Sequence, residues 1–301
     1  MNQKVSVILT TYNRPELLSK AIASVLSQTY KDFELLIIDD CSDKSTKEIV
    51  NSFKDNKIIY IRNKNNIHLS SSRNIGIDKS SGEYICFLDD DDTWHKDKLK
   101  VQINKFKTLD NKYGLVYSWM NIVSNKIELD KLTPIVNNDI FLESLHGQPI
   151  AAASSWMIRR SVIEKNIKFD SRIRRGIDGD FLRQLTKYFY VDFIPVCLVN
   201  YQVQHGKNRI SSSSISNFKK SIKGNLITER KFATDFKKNP KIYSLFFQRI
   251  LFEYMFVGSY LSAFSAFFKS LYYNFFSLRN VKVLIKIILF PIYIRTKGLN
   301  E

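Results

Sequence analysis

Cysteine is scarce in this chain of 301 residues: there are three, Cys41, Cys86 and Cys197, without paired spacing. That pattern excludes a disulfide framework and points to buried thiols in a reducing cytoplasm. A secretory leader is not expected, because the N-terminus runs almost directly into an apolar strand, Val5–Leu9. Nor is a membrane span: the longest uncharged run, Tyr254–Phe268, is shorter than the roughly 20 residues that cross a bilayer. Internal repeats are absent, and Ser211-Ser212-Ser213-Ser214 is the one low-complexity patch, placed where a domain boundary is expected. Acidic residues nearly vanish from the last third. Residues 205–301 hold 17 Lys and Arg against 4 Asp and Glu, whereas residues 1–204 hold 29 against 25. The net charge of +17 is therefore a property of the tail.

A basic tail attracts nucleic acid, an anionic membrane or phosphorylated substrates. Composition separates these. The tail is rich in Phe, Tyr, Leu and Ile, as in Ile285–Arg295, and basic residues beside large apolar surface suit a membrane interface. No nucleic-acid-binding module is present. Leu245–Phe276 is expected to pack as a helical hairpin on the catalytic domain, and Val281–Lys297 to contact an anionic membrane surface.

Four consecutive aspartates, Asp89 to Asp92, end the strand-like run Glu83–Leu88. Carboxylates so placed repel one another unless a cation sits among them. A hard divalent ion, Mn²⁺ or Mg²⁺, prefers such oxygens and leaves positions open for substrate phosphates. Upstream, Glu34–Ile38 ends in Asp39-Asp40-Cys41-Ser42-Asp43, and Val5–Leu9 ends in Thr10-Thr11-Tyr12-Asn13-Arg14-Pro15. Asn13 suits an N-cap and Pro15 a first helical turn. Leu17, Leu18, Ala21, Ile22, Val25 and Leu26 then recur at helical spacing. Alternating strands and helices argue for a mostly parallel sheet covered by helices, with ligands at the carboxyl ends of its strands.

Together, Thr10–Arg14, Ile38–Ser42, Ser72-Arg73-Asn74-Ile75-Gly76, Gly82–Ile85 and Leu88–Trp94 resemble, in order and spacing, the inverting glycosyltransferases of family 2. The resemblance covers about the first hundred residues and continues more weakly to about residue 210. It implies an α/β, Rossmann-like GT-A domain over 1–210, with a nucleotide half near 1–110 and an acceptor half near 111–210. A helical, basic, membrane-associating tail over 211–301 completes the expected organisation. The implied activity is metal-dependent sugar transfer from a UDP-sugar to a saccharide acceptor, lipid-diphosphate-linked, in bacterial polysaccharide assembly on the inner face of the cell membrane. The rival readings are direct transfer to polyprenyl phosphate and a non-catalytic binding subunit.

The resemblance also assigns roles. Thr10, Tyr12 and Asp40 form a uridine pocket, with Tyr12 stacking on the base and Asp40 accepting from its imide N–H. Asp39 orients the loop or joins them. Arg14 and Asp90 belong to the same nucleotide site. Arg73 reaches a phosphate or pairs with the acidic strand end, while Asn74 and Gly76 serve close packing. Asp91 binds the metal, Asp89 contacts ribose or metal, and Asp92 caps a helix beginning near His95. In Arg174–Arg183, which resembles a Glu-Asp motif with Ile177 in place of the glutamate, Asp178 falls on the position of the catalytic base, with Asp180 its competitor. His205 contacts metal or diphosphate, or is an ordinary surface histidine; Lys207 and Arg209 lie beside it. Pro149–Trp156 is read as lining the donor-sugar or acceptor side.

Overall fold

The computed structural model describes residues 4–124, 127–147, 149–203 and 214–274. They fall into two compact units, 4–144 with 149–203, and 145–147 with 214–274. The chain begins β1 (Val5–Thr11), α1 (Pro15–Leu26), β2 (Phe33–Asp39), α2 (Lys44–Ser52), β3 (Ile58–Arg62), α3 (His68–Lys79) and β4 (Tyr84–Asp89). It continues β5 (Thr93–Trp94), α4 (Lys98–Lys107), β6 (Tyr113–Ser124), β7 (Ile127–Leu132), α5 (Phe141–His146), β8 (Met157–Arg159), α6 (Arg160–Glu164), α7 (Ile177–Thr186) and β9 (Tyr190–Gln202). Four helices follow: α8 (Ile215–Lys231), α9 (Ala233–Lys238), α10 (Pro240–Phe256) and α11 (Tyr260–Tyr273).

The strands form one sheet in the order β3-β2-β1-β4-β8-β6-β9-β5, with β7 added against β6. β1 and β2 are buried along their whole length, which is why they read as nearly unbroken apolar runs. Pairing across β3-β2-β1-β4 is parallel throughout. Beyond β4 the sheet is mixed: β8 runs antiparallel to β4 and β6, and β6 parallel to β9. β6 returns directly as β7, with Ser124 paired to Ile127, and a tight return allows only an antiparallel partner.

Register positions the site. Thr10 lies opposite both Ile38 and Asp89, and Thr11 opposite Asp39. The carboxyl ends of β1, β2 and β4 therefore come level at one edge, where ligands of open α/β sheets bind. α3 lies close on β1: a Cβ added at Gly76 would sit 2.4 Å from Ile8 Cγ2. Asn74 exchanges two hydrogen bonds with the Phe169 backbone, at 2.8 and 3.0 Å.

The start of α1 differs from the N-cap expected at Asn13. Arg14 holds the cap position with Pro15 first in the helix. Asn13 adopts a left-handed φ of 52°, and its side-chain oxygen accepts from the Asp43 N–H at 2.9 Å. The side chain thus ties the β1 loop to the β2 loop and is not available to the helix.

In the second unit α10 and α11 pack together as the hairpin expected there, turning at Gly258 with φ 74°. Ser244 Oγ donates to Ser270 O at 2.9 Å, and Tyr243 stacks against Phe236, Phe247 and Tyr273 with ring centroids 4.4 to 4.9 Å apart. Among the described residues no helix is long and apolar enough to cross a membrane. Ser211–Ser213 and the segment Val281–Lys297 lie outside the described residues.

Candidate active site

β4 carries Asp89 to the sheet edge, and the chain then turns, the Asp92 N–H donating to Asp89 O at 3.1 Å. The turn splits the four aspartates. Asp89, Asp91 and Asp92 bring carboxylate oxygens within 4.8 Å of one another. Asp90 instead accepts from Thr11 Oγ1 at 2.8 Å and Arg14 Nη1 at 3.1 Å. Arg14 also reaches Asp91 Oδ2, at 3.2 Å. Burial pushes the Asp90 carboxyl up to about 7, with Arg14 pulling against it.

Asp92 does not cap a helix. α4 starts at Lys98 after Asp97, and Asp92 is buried, with Oδ1 accepting from the Gln202 N–H of β9 at 3.2 Å. Its Oδ2 is enclosed and has no hydrogen-bond partner among the described residues. Burial first, then Asp91 and Asp89, raise this carboxyl well above the usual carboxylate range. A buried acceptor facing two more carboxylates is what a bound cation would satisfy. An all-oxygen donor set fits Mn²⁺ or Mg²⁺.

Arg73, on α3, is 1% exposed. It packs on Phe169 and Phe87, 5.0 and 5.8 Å from their ring centroids. Nη2 donates to Asp89 Oδ1 and Nη1 to Asp178 Oδ1, both at 2.7 Å. Burial disfavours its charge, but Asp89 and Asp178 outweigh that and raise its pKa. Of the two readings of Arg73, the pairing with the acidic strand end is the one present, and it extends to a second carboxylate.

Asp178 is the second residue of α7, whose cap Gly176 has a φ of 79° that a side chain would strain. Its Oδ2 accepts from the Ala153 N–H at 3.1 Å, and its side chain keeps 21% exposure. Asp180, the competitor, is buried and accepts from Gln184 Nε2 at 2.9 Å. Asp178 is thus the carboxylate with both a fixed orientation and an open side.

The segment Pro149–Trp156 lies behind these groups. Besides the Ala153 N–H, Ser154 Oγ accepts from the Asp89 N–H at 3.3 Å. Trp94 is buried and donates Nε1–H to Ser154 O at 2.8 Å. Lys98 is fully buried, its Nζ 3.9 Å from the Trp94 ring and donating to Gln102 Oε1 at 2.7 Å. Gln102 in turn donates to Ser155 O at 2.8 Å. Burial lowers the Lys98 pKa to about 8. The segment Pro149–Trp156 is legible in the sequence, but Ala153 within it is not, because its contribution is a backbone group. Asp92 was visible in the aspartate run, but its enclosure depends on β9.

At the nucleotide end Thr10 is buried and Tyr12 is 47% exposed. Asp40 is buried and accepts from Asn63 Nδ2, Ile67 N–H and His68 N–H at 3.0, 2.8 and 2.7 Å. A carboxylate has about four acceptor sites, so these bonds use most of its capacity. Asp39 orients its loop: it accepts from the Ser42 N–H at 2.8 Å and from the Tyr60 hydroxyl. His205, Lys207 and Arg209 lie outside the described residues.

The sequence profile described as "Glycosyl transferase family 2" matches residues 6–167. The amylovoran biosynthesis glycosyltransferase AmsB of Erwinia amylovora is 30% identical over 66% of this chain and 69% of its own length. WfgD of Escherichia coli, a UDP-Glc:α-D-GlcNAc-diphosphoundecaprenol β-1,3-glucosyltransferase, is 37% identical over 40% of this chain and 47% of its own. Among solved structures, residues 1–349 of S. aureus TarS in complex with UDP-GlcNAc superpose with a TM-score of 0.59 at 16% identity, covering 89% of this chain and 91% of that one. At that identity the likeness establishes the fold, the mixed α/β GT-A architecture.

Proposed function

The chain belongs to glycosyl transferase family 2, as a glycosyltransferase of polysaccharide biosynthesis, and on that footing we propose that it moves a sugar, with inversion, from a UDP-sugar to a saccharide carried on a lipid diphosphate. The observation that carries this reading is the chain of contacts from Asp178 through Arg73 to Asp89. One buried cation fixes a carboxylate suited to be a base and the edge of an acidic cluster suited to a metal. The UDP-Glc donor and the diphosphoundecaprenol-linked acceptor in the name of WfgD support the choice of substrates.

In this mechanism Tyr12 stacks on the base, Thr10 meets the base or ribose edge, and Asp40 and Arg14 complete the nucleotide contacts. Asp89, Asp91 and Asp92 would hold Mn²⁺ or Mg²⁺, which supplies positive charge to the diphosphate. Asp178 takes the proton of the acceptor hydroxyl as that oxygen bonds to the anomeric carbon from the face opposite the diphosphate. The carbon–oxygen bond to UDP breaks, and its electron pair leaves with the diphosphate. Arg73 and the Ala153 N–H hold Asp178 from one side and turn its remaining lone pairs outward. The acceptor side is reached at the inner face of the membrane, which the basic segment Val281–Lys297 helps to bind.

Asp178→Asn tests the assignment. UDP affinity measured by calorimetry with Mn²⁺ should stay near the parent value, while transfer falls by about 10²- to 10⁴-fold. A loss of UDP binding as large as the loss of rate would make Asp178 structural, and full activity in excess chelator would remove the cation from the scheme.

A further inference from the structure

α11 is apolar on two sides. Ala263, Ala266, Phe267 and Ser270 are buried. Tyr260, Leu261, Phe264, Phe268 and Tyr272 remain 57, 88, 54, 62 and 83% exposed. Four of these recur at every fourth residue, with Leu261 beside them, so they form one stripe winding slowly along the helix. Ser265 and Lys269 are also exposed, and the helix contains no acidic residue. A helix apolar on both sides needs cover on both, and a continuous exposed apolar patch marks an interaction surface.

Charge and geometry select the occupant. Residues 214–274 hold 10 Lys and Arg against 3 Asp and Glu. Pairing two copies would bring two cationic units together, whereas an anionic bilayer offers negative charge and an apolar interior in one surface. At 14 residues the helix is about 21 Å long, short of the ~30 Å hydrocarbon core, so it suits the plane of the interface. Tyr260 and Tyr272 stand at the two ends of the stripe, and tyrosine is enriched at the headgroup level.

We propose that the exposed face of α11 docks in the interface of an anionic bilayer, inserting Leu261, Phe264 and Phe268 beneath the headgroups with Lys269 beside them. This surface is distinct from the basic segment at Val281–Lys297, and its assignment does not rest on the sugar-transfer reading.

The test is sedimentation of the full-length protein with vesicles of phosphatidylglycerol and phosphatidylcholine in equal parts, against pure phosphatidylcholine. The F264S/F268S variant removes apolar insertion without adding charge, and F264L/F268L keeps it; thermal melting confirms that both fold. Binding to anionic vesicles should fall about tenfold in the serine variant and hold in the leucine variant, because insertion scales with buried apolar area. Vesicle binding unchanged in the serine variant overturns the proposal. So does a shift from dimer to monomer in that variant with vesicle binding intact, which would assign the face to a second copy. UDP-sugar hydrolysis is measured on the same samples: its absence alongside the expected vesicle pattern would overturn the sugar-transfer reading and leave α11 as the docking face.

Discussion

Asp90 sits between Thr11 and Arg14, almost wholly enclosed, and its carboxyl is pushed up to about 7 by burial. An unfolded aspartate titrates near 3.9. The folded chain therefore holds an extra proton between about pH 4 and 7, and the associated stability, present at low pH, is lost as pH rises through about 7. The effect is on the order of a few kcal/mol, and Asp92, raised in the same direction, adds to it. In chelator, the melting temperature should fall between about pH 4 and 7, and Asp90→Asn should flatten part of that slope. Mn²⁺ at the upper pH should restore what was lost by neutralising the repulsion. A melting temperature independent of pH would mean that Arg14 compensates Asp90 fully. Legibility varies along the aspartate run. Asp89 and Asp91 are the pair that the family resemblance singles out. Asp90 cannot be placed without knowing that Thr11 lies across from it, nor Asp92 without the Gln202 backbone of β9.

α3 joins the acidic strand end to Asp178, the proposed base. It carries Arg73 toward Asp89 and Asp178, and Ser70 and Asn74 bond the backbone of Ile173 and Phe169 ahead of α7. It can do so because Gly76 lets it approach β1. Gly76→Ala would drive a methyl into the buried side chain of Ile8, whose branched carbons have no open space to retreat into. Such overpacking costs about 1–3 kcal/mol, read as a lower denaturation midpoint with unchanged slope. An unshifted midpoint would show that β1 and α3 separate without cost. The elements themselves were legible from apolar periodicity. Their ends were less so: Asn13 has the chemistry of a cap but is drawn to Asp43, a contact thirty residues distant in sequence.

At the scale of the whole molecule, charge is divided between a nearly balanced first 204 residues and a strongly basic remainder. Residues 281–301 hold Lys282, Lys286, Arg295 and Lys297 around an apolar run. Each basic residue near an anionic surface contributes about 1 kcal/mol, but charge alone is screened within about 8 Å at physiological salt, so apolar insertion is needed as well. Deleting 281–301 should weaken binding to anionic vesicles and slow transfer to a lipid-linked acceptor more than to a short soluble one. Unchanged vesicle binding would mean that this segment takes no part in membrane contact.

The sequence by itself determined the family, the parallel start of the sheet and the position of the acidic strand end, because these depend on local runs and short motifs that a chain displays in order; Asp178 as base is what the family resemblance implies. Tertiary structure alone decided that Arg73 joins Asp178 to Asp89, that Asp92 turns inward with an oxygen unpaired among the described residues, and that the Ala153 N–H orients Asp178. Those contacts span from 16 to 110 positions along the chain. They arise because β8 inserts beside β4 and α7 is brought against α3, juxtapositions set by packing and not by any local pattern.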